Sequence, residues 1–138
     1  MPTMTAAQQR AAAKVEYDAY LATCPSRQLL DTLSDKWVVL VMSALAEGPH
    51  RYSALTRRIA GVSQKMLTQT LRGLERDGLV TRTVRGTVPV TVTYDLTELG
   101  QSLFAVVSQL KAWAEANIAE IVAARSVYSE RAAAEDAP

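Results

Sequence analysis

The sequence predicts a mostly α-helical fold with one small β-hairpin in its second half. Three observations carry this. Apolar residues recur at helical spacing in blocks up to Asp77 and again beyond Thr97. Between Leu79 and Leu96 the apolar period shortens to two. Ser, Thr, Gly and Pro stand at the changeovers, where helices begin and end.

The elements follow in order. Residues 5–22 are rich in Ala and other helix formers, with Val15, Ala19 and Ala22 as a sparse apolar stripe. Thr23-Cys24-Pro25 interrupts this helix, because the residue before proline is pushed out of helical geometry, and Pro25 suits a first helical position. Leu29, Leu30 and Leu33 then repeat at helical spacing. Ser34 or Asp35 is expected to restart a helix carrying Trp37, Val38, Leu40, Val41 and Leu45, which Gly48-Pro49 ends. His50-Arg51-Tyr52 suits one short strand. Ser53 is expected to cap a helix bearing Leu55 and Ile59 and closed by Gly61; Ser63 caps the next, which runs to Asp77 and stops at Gly78. In the hairpin, Val80, Val84, Val92, Tyr94 and Leu96 are expected to pack inward, with Arg85-Gly86-Thr87-Val88-Pro89 as a loose tip. Thr97 caps a long last helix to about Arg125, and the Ala-rich, acidic residues 126–138 are expected to form a flexible tail. Helix, helix, short strand, helix, helix, hairpin, helix is the winged helix-turn-helix order, with extra helices at both ends.

Several function classes fall away. With 138 residues, 49% of them hydrophobic, the chain can bury one core and leaves little room for a second domain. No apolar stretch approaches a membrane span, and no secretory signal opens the chain, so a cytoplasmic protein without a membrane partner is expected. Cys24 and His50 are the single residues of their kinds, which rules out an internal disulfide and a metal site of the usual ligand set. No nucleophile elbow, phosphate loop or dinucleotide fingerprint is present. Neither a cofactor nor an enzymatic activity is expected.

The net charge of +1 conceals a segregated distribution. Residues 51–97 hold eight basic groups (Arg51, Arg57, Arg58, Lys65, Arg72, Arg76, Arg82, Arg85) against three acidic ones, while both flanks are neutral to acidic. A basic patch on a near-neutral protein is the footprint of a nucleic-acid surface.

On a helix from Ser63 to Asp77, Leu67, Leu71 and Leu74 fall within about 60° of one another as a buried stripe. Lys65, Thr68, Gln69, Arg72 and Arg76 occupy an arc of about 100° on the other side. Arg and Lys reach guanine edges or phosphates, Gln pairs with adenine, and Thr touches a thymine methyl. Ser63 and Gln64 sit at the N-terminal turn, where amide groups and the helix dipole favour a phosphate. An ordinary solvated helix face is the commoner fate of such a pattern, but such faces mix charge signs, and this one has no acid before Glu75. Arg85, at the hairpin tip, is free for phosphate or minor-groove contact.

These residues are arranged as in a known family. Cys24-Pro25 with Leu29-Leu30, Asp35-Lys36-Trp37, Arg51-Tyr52-Ser53-Ala54-Leu55, the run Val62 to Arg72, Leu74 to Val80, Thr87-Val88-Pro89 and Tyr94 to Gly100 together resemble the HxlR-type helix-turn-helix proteins, over roughly residues 24–113. The resemblance implies a homodimer that places two recognition helices in successive major grooves of a double-stranded DNA operator. It also implies a transcription regulator, in some members one that senses electrophiles or oxidants. One departure stands out: where the family often carries Pro-Pro and a basic residue in the wing, this chain has Pro89-Val90-Thr91, so that either Arg85 or Arg82 takes that role or the wing contributes less.

Cys24 matches the family's sensing cysteine and precedes a helix N-terminus, where the dipole lowers a thiol pKa. A buried structural thiol is the equal alternative, and a small-molecule effector is a third route for a signal. Trp37 reads as core, and His50 as a surface residue or phosphate contact. The apolar face of the last helix, from Leu99 to Val122, is too long for one small core, so its second half is expected to dimerise with residues 5–22. The expected organisation is a dimerisation helix in 1–23, the DNA-binding domain in 24–97, a second dimerisation helix in 98–125 and the tail in 126–138. A winged-helix module that binds an acidic protein partner is the alternative reading of the basic helix.

Overall fold

In the computed structural model, residues 3–86 and 88–137 are described. Thr87, assigned above to the hairpin tip, lies outside the described residues, as do Met1, Pro2 and Pro138 of the terminal segments. The elements are α1 (Ala6–Thr23), α2 (Pro25–Leu33), α3 (Val38–Ala46), β1 (His50–Arg51), α4 (Tyr52–Arg58), α5 (Gln64–Arg76), β2 (Val80–Arg85), β3 (Thr91–Leu96) and α6 (Glu98–Asp136). The strands form one antiparallel sheet in the order β1-β3-β2, pairing His50 with Tyr94 and Val80 with Leu96. This is the winged helix-turn-helix fold.

Most helix ends have a local cause. Thr5 and Gln8 exchange side-chain and backbone hydrogen bonds in a capping box at the start of α1. Pro25 opens α2, with Cys24 in the capping position. Ser63 caps α5 by accepting the Met66 amide at 3.1 Å. At the other end of α5, Leu79 donates to the Leu74 carbonyl and Gly78 to that of Glu75, which closes the helix as a Schellman motif. Between α4 and α5 the chain reverses at Gly61, whose φ of +84° few residues but glycine adopt.

Two expected helix starts move. Asp35 does not begin α3; it organises the turn ahead of it, its carboxylate accepting the Trp37 amide at 2.9 Å and its carbonyl the Val38 amide at 3.1 Å. Nor does Ser53 cap α4. Strand β1 ends with Arg51 paired to Thr93, so Arg51 takes the capping position and Ser53 falls within the first turn.

The core sits where α3, α4 and α5 meet the base of the hairpin. Val41, Met42 and Leu45 of α3, Leu55 of α4 and the predicted stripe Leu67, Leu71 and Leu74 of α5 are fully buried. Val80 and Leu96 close it from the sheet side, with Tyr94 half-buried. Val84, expected inward, is 49% exposed, because the hairpin outruns the helices that cover its base.

Helix α6 joins this core through Leu103, Phe104 and Val107. Its start is held closely. Thr97 accepts the Gly100 amide at 2.9 Å and donates its hydroxyl to the Gly78 carbonyl at 2.7 Å. Gly100 approaches the chain so tightly that a Cβ there would lie 2.1 Å from the Leu79 carbonyl oxygen. The helix then continues past Arg125, where the sequence reading ended it, to Asp136. No Gly or Pro interrupts that stretch, and Ala and Glu favour its continuation. Beyond the core, Leu99, Val106, Leu110 and Trp113 remain exposed within an arc of about 60°. Helix α1 packs on α2 and has no buried residue. Among the described residues, no helix is long and apolar enough to cross a membrane.

Two glycine substitutions separate these forces. Gly100→Ala drives a methyl into backbone and should cost roughly 3 kcal/mol of stability. Gly73→Ala, inside α5 with nothing within 4 Å of its added Cβ, should stabilise by about 0.5–1 kcal/mol. Denaturant titration followed by circular dichroism measures both; equal midpoints would refute the account of the α6 junction.

Candidate nucleic-acid interface

Because the leucine stripe commits one side of α5 to the core, the other side is determined. Ser63, Gln64, Lys65, Gln69, Arg72 and Arg76 are exposed on it, and Thr68 is half-buried. Tyr52, at the start of α4, reaches across. Its hydroxyl donates to the Gln64 carbonyl at 3.0 Å and lies 3.1 Å from the Thr68 hydroxyl. The two helices of the motif are thus stapled at the end of α5 that carries the site, and the Thr68 hydroxyl is engaged there. No intrahelical carbonyl can reach the first-turn amides of Gln64 and Lys65.

Among the described residues, the ion pairs join Arg58 to Glu47 and Arg76 to Asp77. The Arg58 guanidinium holds the Glu47 carboxyl below its usual range. Arg76 donates from Nε to Asp77 at 3.2 Å, which makes it the least free cation of the helix. Among the described residues, no carboxylate lies within ion-pair distance of Lys65 or Arg72. An exposed pair contributes at most about 1 kcal/mol, so a phosphate can compete for Arg76.

Arg85 ends β2 on the sheet face away from the core. With it lie Arg51, Thr81, Thr83, Thr91, Thr93, Asp95 and Pro49, around a shallow concavity of about 350 Å³. Arg51 is the cation that sequence reasoning missed. It was legible as part of a short strand, but the β1-β3-β2 order that sets it beside Arg85 is a long-range property. Arg82 lies opposite Tyr94 on the other face and is exposed. His50 is held by its own turn, Nδ1 donating to the Gly48 carbonyl at 2.7 Å.

Cys24 stands apart from this surface, at the joint between α1 and α2, half-buried. The backbone amide of Arg27 lowers its thiol pKa, assisted by the Ser26 amide and the Tyr20 hydroxyl and opposed by desolvation. Trp37 packs against the core, with the Lys36 ammonium 5.1 Å from its ring centre.

Known proteins share this arrangement. The family model for HxlR-like helix-turn-helix proteins matches residues 32–122. The HTH-type transcriptional regulator YtfH of Escherichia coli is 44% identical over 118 residues, covering 86% of this chain and 91% of its own. Among solved structures, the transcriptional regulator ytfH from Salmonella typhimurium shares 42% identity over 76% of this chain and 94% of that one, with a TM-score of 0.68. The redox regulator HypR in its oxidized form shares 39% identity over 68% of this chain and 97% of its own, with a TM-score of 0.64. With that match spanning most of the chain, and a winged-helix core whose basic, leucine-backed helix faces outward, the chain belongs to the HxlR family of DNA-binding helix-turn-helix transcription regulators.

Proposed function

We propose that the chain works as a homodimer that reads a pseudo-palindromic double-stranded operator through α5. The observation that carries this is the outward face of α5, where Lys65, Gln69 and Arg72 stand exposed with no acidic partner among the described residues. Gln69 and Arg72, in the middle of the helix, read base edges, while Lys65, Thr68 and Arg76 contact the duplex around them. Ser63 and Gln64 present the helix N-terminus to a phosphate. Arg85 contacts the backbone or minor groove from the wing.

The homodimer rests on the apolar residues of α6 past Leu110, namely Trp113, Ile118, Val122 and Val127, which the described residues of the chain leave about half exposed. Continuous apolar surface of this kind marks an association site, and α1 has Val15, Tyr17 and Tyr20 exposed to meet it. A dimer gives two recognition helices a spacing of about one DNA turn.

Cys24 is the proposed entry point for an oxidant or electrophile. Its lowered pKa enriches the thiolate, the species that reacts, and a relative of similar structure is a redox regulator. It also joins the α1 arm to the DNA-binding body.

Replacing Gln69 or Arg72 with alanine should weaken specific binding by about 1–3 kcal/mol each and leave folding intact. Arg85→Ala should flatten the salt dependence of binding without changing the preferred sequence. Equilibrium titrations across a salt series check both; wild-type affinity in all three variants would refute the assignment.

Truncation after Lys111 should produce monomers or aggregates and remove high-affinity operator binding. Sedimentation of a well-behaved truncated dimer would show that the interface lies elsewhere.

Treatment with a quinone or hypochlorite should change operator binding of the wild type and not of Cys24→Ser. Thiol alkylation should already be fast below the usual cysteine pKa, since the thiolate persists to lower pH. Identical responses of the two proteins would make Cys24 structural.

A further inference from the structure

The leucines of α5 decide which side of the helix is buried, but apolar contact is non-directional and sets the rotation about the axis less finely than a hydrogen bond does. The site depends on that finer setting. On a helix about 10–12 Å across, a rotation of about 10° carries a side-chain tip roughly 1 Å around the circumference. Hydrogen bonds to base edges tolerate little more than that.

Thr70 is the buried polar side chain of α5, 3% exposed, next in sequence to Gln69. Its hydroxyl donates to Asp35 Oδ2 at 2.7 Å. The other oxygen of that carboxylate accepts the Trp37 amide at 2.9 Å, so Asp35 is itself fixed by the turn between α2 and α3. A second tie lies further along: Thr32 of α2 donates to Asp77 Oδ2 at 2.7 Å, just past the end of α5. Between these bonds α2 and α5 do not close on each other. They leave a crevice of about 200 Å³, with Thr32, Asp35, Gln69, Thr70 and Gly73 among its walls. Across that crevice, which Val38 and Leu74 also line, these two directional hydrogen bonds tie α5 to the turn and to α2.

We propose that Asp35 is a positioning residue for DNA recognition: through Thr70 it sets the rotation of α5 and thereby where Gln69 and Arg72 meet the bases. This rests on the reading of α5 as the recognition helix. Asp35 touches no DNA, and its effect falls on selectivity. Phosphate attraction survives a small rotation of the helix, whereas paired hydrogen bonds to a base do not.

The test uses the full-length protein, a duplex enriched from a random-sequence library by the wild type, and a shuffled duplex of the same length. Asp35→Ala and Thr70→Val should each lower the ratio of specific to non-specific affinity at least tenfold, with non-specific affinity and its salt slope unchanged. Asp35→Asn should restore the ratio, because its amide oxygen can accept the Trp37 amide while its NH₂ donates to the Thr70 hydroxyl. If specific and non-specific binding fall together, or if Asp35→Asn is as poor as Asp35→Ala, the positioning role is overturned. If Asp35→Ala and Thr70→Val keep the wild-type ratio while Gln69→Ala loses it, the positioning role fails and the recognition helix stands. If Gln69→Ala keeps it too, the reading of α5 itself has failed.

Discussion

Four segments meet at Gly78-Leu79, and the rest of the molecule is arranged around that meeting. The Leu79 amide closes α5 on the Leu74 carbonyl, while its carbonyl accepts the Thr97 amide and lies against Gly100. The Thr97 hydroxyl returns to the Gly78 carbonyl. The end of α5, the first strand of the wing, the last strand of the wing and the start of α6 are thereby fastened within a few residues. Every backbone group named there is matched, which matters most around the buried Leu79 and Gly100, because an unpaired amide or carbonyl out of water is costly. The orientation of the wing and of the long helix relative to α5 follows from this one place.

Charge is arranged with similar economy. Among the described residues, the cations that meet carboxylates, Arg58 and Arg76, are paired at the flank and at the end of the motif. Those at the middle of α5 and on the outer sheet face are left for the solvent side. Self-repulsion among them is tolerable because screening acts over about 8–10 Å at physiological salt. The surface therefore carries a positive field without destabilising the domain beneath it, and the acidic flanks return the net charge to +1.

Much of this was legible in the residues, and the failures have a common cause. Ser63, Thr97, Gly61 and Gly78 announce their helix ends because a cap or a left-handed turn is satisfied within a few residues of itself. The stripe Leu67, Leu71, Leu74 was readable because its period is fixed by helix geometry. Ser53 misled because a serine inside the first turn looks the same as one that caps it; the boundary was set by the pairing of Arg51 with Thr93, far along the chain. Val84 alternates correctly, and only the extent of the helices shows that nothing covers it. The contacts of Asp35, Tyr52 and Arg51 escaped notice for the same reason: each meets a partner that is remote in sequence. The end of α6 was set too early, at about Arg125, because residues 126–136 contain no helix breaker and the helix runs through them to Asp136.

The unbroken run of α6 has a mechanical meaning. At about 1.5 Å per residue, its 39 residues make a strut roughly 60 Å long, about twice the width of a small domain, and clamped at one end by Gly100. A strut of this kind has a phase as well as a length. Removing one residue beyond the clamp would draw everything distal inward by about 1.5 Å and also swing it by about 100°, taking Trp113 and Leu110 off the line begun by Leu99 and Val106. Changes of three or four residues nearly restore the line; changes of one or two break it. The reach of this arm is therefore quantised in whole turns.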